Sequence, residues 1–385
     1  MPLISPRHLV GALATFWLAA TLPAQRPVYT VGGASPNFTS LPTAIAAVPP
    51  GAIVVVRPGV HVGFTTNKPL RVLLDFDAAS GVIQPPAGAG YAISLDGVAG
   101  ADGFVLVGRG APILPGLIGG IRVVNTSASV VIEGVAVAAT SPRSGLEVQN
   151  AAAVHVRRSV LAGAPGLQVQ IANFSISECV VLSSVGVGAV LYNTRFDAVR
   201  TFFSGANQPA LRLFDCVGRI SSDGSTTISS VAAVGLAVSP LEAWDSDLQF
   251  DPARIGLVAN GTTPPFVRVG GVFKDEEVPT LVTSQVLPGL PATVRMTSAS
   301  PRIGAVVLGE MLSTPAVFEF TNVWVNSIAG PVVAAVGICD AAGLVSQTVI
   351  PNSPVLRGNV FCLQGVVWQP NGWPVLSGPG LWAVL

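Results

Sequence analysis

His155, Ser175 and Asp197 are the residue types of nucleophilic hydrolysis: a hydroxyl, an imidazole to take its proton and a carboxylate to orient the imidazole. They stand 20 and 22 residues apart. If each occupies the same place in a repeating coil, they stack in one outward column, about 4.8 Å per step. A triad needs the imidazole between its two partners. Here Ser175 lies in the middle, and the order argues against triad chemistry. The same alignment stacks Arg158, Glu178 and Arg200, an alternating ladder that is favourable as cross-strand pairing and that could line a polar groove for sugars. Asp75 and Asp77 alternate along an expected strand and would share a face, as paired carboxylates do in calcium sites or acid/base catalysis. Trp244-Asp245-Ser246-Asp247, with Asp251, is the densest acidic stretch of the repeat region. Its indole could stack on a sugar while the carboxylates hold calcium. The candidate binding set is therefore His155, Arg158, Glu178, Asp197, Arg200, Trp244, Asp245 and Asp247, with no residue given a catalytic, cofactor-binding or metal-ligating role.

Composition narrows the partners. Only 10% of residues are charged and the formal net charge is zero, so the excess of cations that neutralises a nucleic-acid backbone is missing. Arg7 and His8, the apolar run from Leu9 to Ala20 and Leu22-Pro23-Ala24 read as a secretory signal peptide over residues 1–24, cleaved after Ala24. Beyond it no apolar run reaches the ~20 residues that span a bilayer. The expectation is a secreted or cell-envelope protein.

The elements that would position these side chains are repeats. Gly120-Ile-Arg-Val-Val-Asn125 is echoed by units beginning at Gly145, Gly166, Gly188 and Ala210, in steps of 25, 21, 22 and 22 residues. Each is followed by a second short strand, as at Val154-His155-Val156. A period near 22 with two or three strands per unit fits one coil of a parallel β-solenoid. Ile121, Leu146, Leu167 and Leu211 should then point inward, and Asn125, Asn150, Asn193 and Asp215 should share a turn that favours left-handed backbone. Leu41, Ala44, Ile45 and Val48 give one apolar face to a short helix that could cap the open end of the stack.

The order Thr-Val-Gly, Asn-Phe-Thr-Ser-Leu, Ala-Ile-Ala-Ala-Val-Pro-Pro-Gly and Val-Val-Val-Arg-Pro-Gly over residues 29–75 resembles the opening of pectinesterase-like and pectate-lyase-like proteins. Where that family has a small residue and Tyr after the Pro-Gly, this chain has Val60-His61. The resemblance implies a right-handed parallel β-helix and a carbohydrate habit. The catalytic stretches of pectinesterases, polygalacturonases and pectate lyases are not present. The resemblance therefore supports architecture, and the chain reads as all-β: a right-handed parallel β-helix over 25–260 with an N-terminal capping helix, a Pro/Gly/Thr-rich linker near 250–270, and an antiparallel β-sandwich over 271–385.

Four cysteines remain. Their spacing matches no zinc pattern. Cys179 and Cys216 should lie two coils apart, about 9.6 Å along the axis, beyond the ~7 Å reach of a disulfide. Cys339 and Cys362 end strands of one small domain and are expected to pair. Two functions stay open: a non-catalytic structural or polysaccharide-binding protein, with no cofactor or with calcium, or a polysaccharide-active enzyme with an unrecognised site.

Overall fold

The computed structural model describes residues 26–384 except 141, 232–237, 260–262, 287–288, 327–330, 354–355 and 357. The expected signal peptide, residues 1–24, lies outside the described residues. The chain forms a right-handed parallel β-helix of about ten coils followed by a small antiparallel sandwich.

A complete coil carries a first, a second and a third strand. The inward first-strand positions run in register from Ile93 through Ile121, Leu146, Leu167, Ala189, Leu211 and Leu241 to Phe266. Ile121, Leu146, Leu167 and Leu211 are all buried, as the repeat demands. Between first and second strands the backbone passes through positive φ at Asn125, Asn150, Ile171, Asn193, Asp215 and Asp245. Asn and Asp suit this corner because their short polar side chains tolerate left-handed backbone. The Asn150 amide donates to Asn125 at 3.1 Å, so neighbouring coils are tied at the corner. Arg158, Glu178 and Arg200 occupy the second corner, also at positive φ.

The helix Leu41–Ala47 buries Leu41, Ala44 and Ile45 against the first coils, with Pro in its first turn. Lys68 Nζ closes its C-terminal end, donating to the carbonyls of Ala46 at 2.5 Å and Val48 at 3.0 Å.

Three expectations need correction. The solenoid does not end near residue 260. Phe266–Val269 and Phe273–Asp275 pair in parallel with Leu241–Trp244 and the strand at Leu248. The Pro- and Gly-rich stretch carries two strands of the solenoid, Phe266–Val269 and Gly256–Val258, the latter paired with Thr227–Val231, and Phe250, Phe266 and Phe273 pack on one another at that end with centroids 4.8–5.4 Å apart. Asp75 and Asp77 do not share a strand, which ends at Leu74. Asp75 pairs with Arg57 at 2.6 Å, and Asp77 accepts from Ser80 Oγ at 2.7 Å in a turn. Ser80 and the Ala79 N–H hold the Asp77 carboxyl below its ordinary pKa.

The third correction concerns the cysteine pair expected in the sandwich, whose antiparallel sheets are present. Its sheets order as Thr280–Thr283, Pro291–Thr297, Leu344–Val349 and as Val332–Cys339, Arg302–Gly309, Val360–Trp368, Pro374–Ala383, with a hairpin of Met311–Phe318 and Thr321–Val325. Cys339 and Cys362 are buried and unbonded. They flank the strand Arg302–Gly309 at its two ends, Cys339 opposite Arg302 and Cys362 opposite Gly309. Seven residues of strand put them roughly 23 Å apart. Cys179 and Cys216 are likewise unbonded core residues.

Candidate functional site

The register brings His155, Ser175 and Asp197 into one column, as expected, and continues it to Arg219 and Gln249. His155 Nδ1 lies 2.8 Å from Ser175 Oγ. The column points out of the solenoid but not into solvent, because the sandwich lies on it. His155 is 0% exposed, with the Trp324 ring edge-on at 4.4 Å. Desolvation, aided by the Arg157 charge, pushes its pKa down to about 3, so the ring is neutral. Asp197 accepts from Arg219 at 2.8 and 3.1 Å and from Trp324 Nε1 at 3.1 Å. These groups hold two domains together; no ligand in solvent reaches His155 or Asp197.

Toward the N-terminal end the same second-strand face is apolar. Ile53, Leu73, Val105, Val107 and Val131 pack on Trp324, Cys362 and Leu381 of the sandwich. This apolar run at outward positions was the available sign that the face is covered. Five solenoid arginines complete the seam by donating to main-chain carbonyls of the sandwich: Arg71 to Gly358 at 2.8 Å, Arg195 to Glu319 at 2.6 Å, Arg157 to Leu381, Arg158 to Thr283 and Arg219 to Leu376.

The Arg158–Glu178–Arg200 ladder is realised only in part. Arg158 meets Glu178 at 2.7 Å and Glu133 at 3.2 Å. Arg200 turns instead to Asp223, at 3.7 Å. All three line an open, shallow depression. Around Trp244 the carboxylates serve the turn. Asp245 is the left-handed corner residue, Asp247 accepts the Val272 N–H at 2.7 Å and Asp251 that of Ala253 at 2.9 Å. Among the described residues no three His, Cys, Asp or Glu side chains converge as a metal site would require.

Trp244 itself belongs to a surface that the sequence reading did not assemble: the outward face of the first strands. One row reads Arg122, Glu147, Gln168, Val190, Arg212, Glu242; the next reads Gln149, Gln170, Tyr192, Phe214, Trp244. The two rows follow from strand alternation, since residues i and i+2 share a face. Tyr192 and Phe214 stack in parallel, 6° and 4.9 Å apart. Tyr192 and Trp244 remain 38% and 39% exposed. The charges on this face are paired within it, Arg212 with Glu242 at 3.0 Å and Arg122 with Glu147 at 3.9 Å. Desolvation and the Glu147 contact raise the Tyr91 pKa beside them. Among the described residues the side-chain amides of Gln149, Gln168 and Gln170 engage no protein partner. The result is a neutral strip of free amides leading into exposed aromatic rings, about 4.8 Å per coil. The signal for it was the alternation Gln-Val-Gln, Val-Leu-Tyr, Arg-Leu-Phe, Glu-Ala-Trp at one phase of the repeat. Among the described residues no helix is long and apolar enough to cross a membrane.

Comparison with protein families and with curated proteins finds no match, so the functional reading rests on this geometry.

Proposed function

We propose that the protein is an exported, non-catalytic β-helix protein of the cell envelope or its surroundings that binds polysaccharide along the open first-strand face. The observation that carries this reading is the strip Gln149, Gln168, Gln170, Tyr192, Phe214 and Trp244. Amides can donate to and accept from sugar hydroxyls, and an exposed ring offers the apolar surface that packs on a sugar's C–H face. Repetition at one spacing per coil suits an extended polymer better than a compact ligand. Internal pairing of the charges favours an uncharged chain. The non-catalytic half of the reading is supported by the fate of the acid/base column, whose imidazole and carboxylate are buried in the domain seam.

The test is a glycan array and polysaccharide retention assay on the mature chain, with a degradation panel run with and without calcium. Retention by at least one neutral polysaccharide is expected, reduced about tenfold, or 1.4 kcal/mol, by Trp244→Ala. Retention by none removes the binding role. Release of reducing ends or unsaturated products from any polymer replaces the reading with that of a polysaccharide-active enzyme.

A further inference from the structure

A second concavity lies at the C-terminal end of the domain seam. It is a cavity of about 180 Å³ between the last coils, which contribute Arg219, Gln249 and Lys274, and two turns of the sandwich, around Glu319 and around Trp373. It is on the scale of one sugar ring and smaller than the ~300 Å³ at which ordinary small-molecule sites begin. Clefts at domain junctions are common places for ligands.

Its walls combine rings and amides. Trp373 is 64% exposed, a large apolar side chain kept at the rim. The turn that carries it is closed by two main-chain bonds, the Gln369 N–H to the Trp373 carbonyl and the Gly372 N–H to the Gln369 carbonyl, both 2.9 Å. Gly372 supplies the positive φ, +83°, that this turn needs. Asn371 Oδ1 accepts the Trp373 N–H at 3.0 Å. The Trp is therefore held in place by a built turn, while among the described residues the Asn371 Nδ2 and the whole Gln369 amide engage no protein partner. Gln249 donates to Glu276 at 3.1 Å, which leaves its own oxygen to accept.

The charges in the crevice are already matched. Arg219 is committed to Asp197 and to the Leu376 carbonyl. Lys274 Nζ sits 2.8 Å from Glu276 and 3.7 Å from Glu319, and 5.9 Å over the Phe320 ring. A carboxylate entering here would meet two glutamates and, among the described residues, no uncommitted cation.

We infer that this crevice is a binding site for a single uncharged pyranose, such as the end residue of a glycan chain, packed on Trp373 and hydrogen-bonded by Gln369, Asn371 and Gln249. The inference rests on the carbohydrate reading above but uses none of the residues of the open face. The probes are methyl glycosides of glucose, galactose, mannose and xylose, with galacturonate as the acidic counterpart, titrated against the full mature chain and followed by tryptophan fluorescence and by calorimetry. Saturable binding of at least one neutral glycoside is expected, weakened at least tenfold by Trp373→Ala and by Gln369→Ala, with galacturonate weaker than galactose. Absence of any glycoside binding overturns the inference, as does binding unchanged in Trp373→Ala or galacturonate binding tighter than galactose. Polymer retention, read in parallel, separates the two sites. Retention without any monosaccharide response removes the crevice and leaves the open face. A monosaccharide response without retention removes the open face and leaves the crevice.

Discussion

At the corner between first and second strands, five of six consecutive left-handed positions are Asn or Asp and the sixth is Ile171. A β-branched residue at φ 52° is held against its preference, and its side chain gains little, being 47% exposed. Ile171→Asn should therefore stabilise the protein by about 1 kcal/mol, through relief of backbone strain and extension of the amide ladder from Asn150. A urea midpoint that falls in the variant would show that Ile171 packs usefully. His155 supplies the opposite kind of test. Its folded pKa, about 3, lies below the ordinary His value of ~6.5. The unfolded chain thus takes up the proton first. Its contribution is complete above pH 6.5 and is lost as pH falls from there toward 3, at up to about 1.4 kcal/mol per pH unit. His155→Gln should flatten that part of the acid limb. Chemical denaturation of both proteins between pH 7.5 and 4 isolates the share due to His155, and parallel curves would show that the ring is protonated in the fold.

Among the elements, the solenoid was legible because its signal is local and repeated. A step of about 22 residues, small or Gly residues before the first strands and Asn or Asp at five of six corners all follow from one coil, and successive coils repeat the statement. Leu167→Ala tests that packing: its neighbours are Leu146 and Ala189 in the coils on either side, and loss of a fully buried Leu should cost about 2–5 kcal/mol. A cost below 1 kcal/mol by thermal or urea unfolding would mean that the column is loosely packed. The last coil was not legible, since the stretch that carries its strands has the composition of a linker. The cysteine positions in the sandwich were not legible either. Nothing in the spacing of Cys339 and Cys362 says which strands lie between them, and the pairing is nonlocal: residues 302–309 separate strands that follow them in sequence. The open face was visible only at one phase of the repeat, and its Tyr, Phe and Trp each have a routine explanation when read singly. The crevice depends on two turns separated by about fifty residues in the chain meeting the last coils, which no local pattern records.

In the whole molecule, the column that looked like chemistry is the means by which two domains become one. The seam joins an apolar patch around Trp324 to a row of buried polar groups, among which Asp197, Arg157 and Arg219 bond across to the sandwich. Asp197 is the clearest case, with Arg219 from the next coil on one oxygen and Trp324 of the sandwich on the other. Asp197→Ala leaves the 2% exposed Arg219 without its counter-charge and should cost about 3–5 kcal/mol, with the loss felt in both domains. The full chain should accordingly unfold in one calorimetric transition. A chain ending after Asp275 would uncover Ile53, Leu73, Val105 and Val131 together with buried arginines, and an apolar dye should bind it far more strongly than the intact protein. Two separate transitions in the intact chain, with Asp197→Ala lowering only one of them, would show that the sandwich rests on the β-helix without stabilising it, and the buried His155 column would then need another explanation.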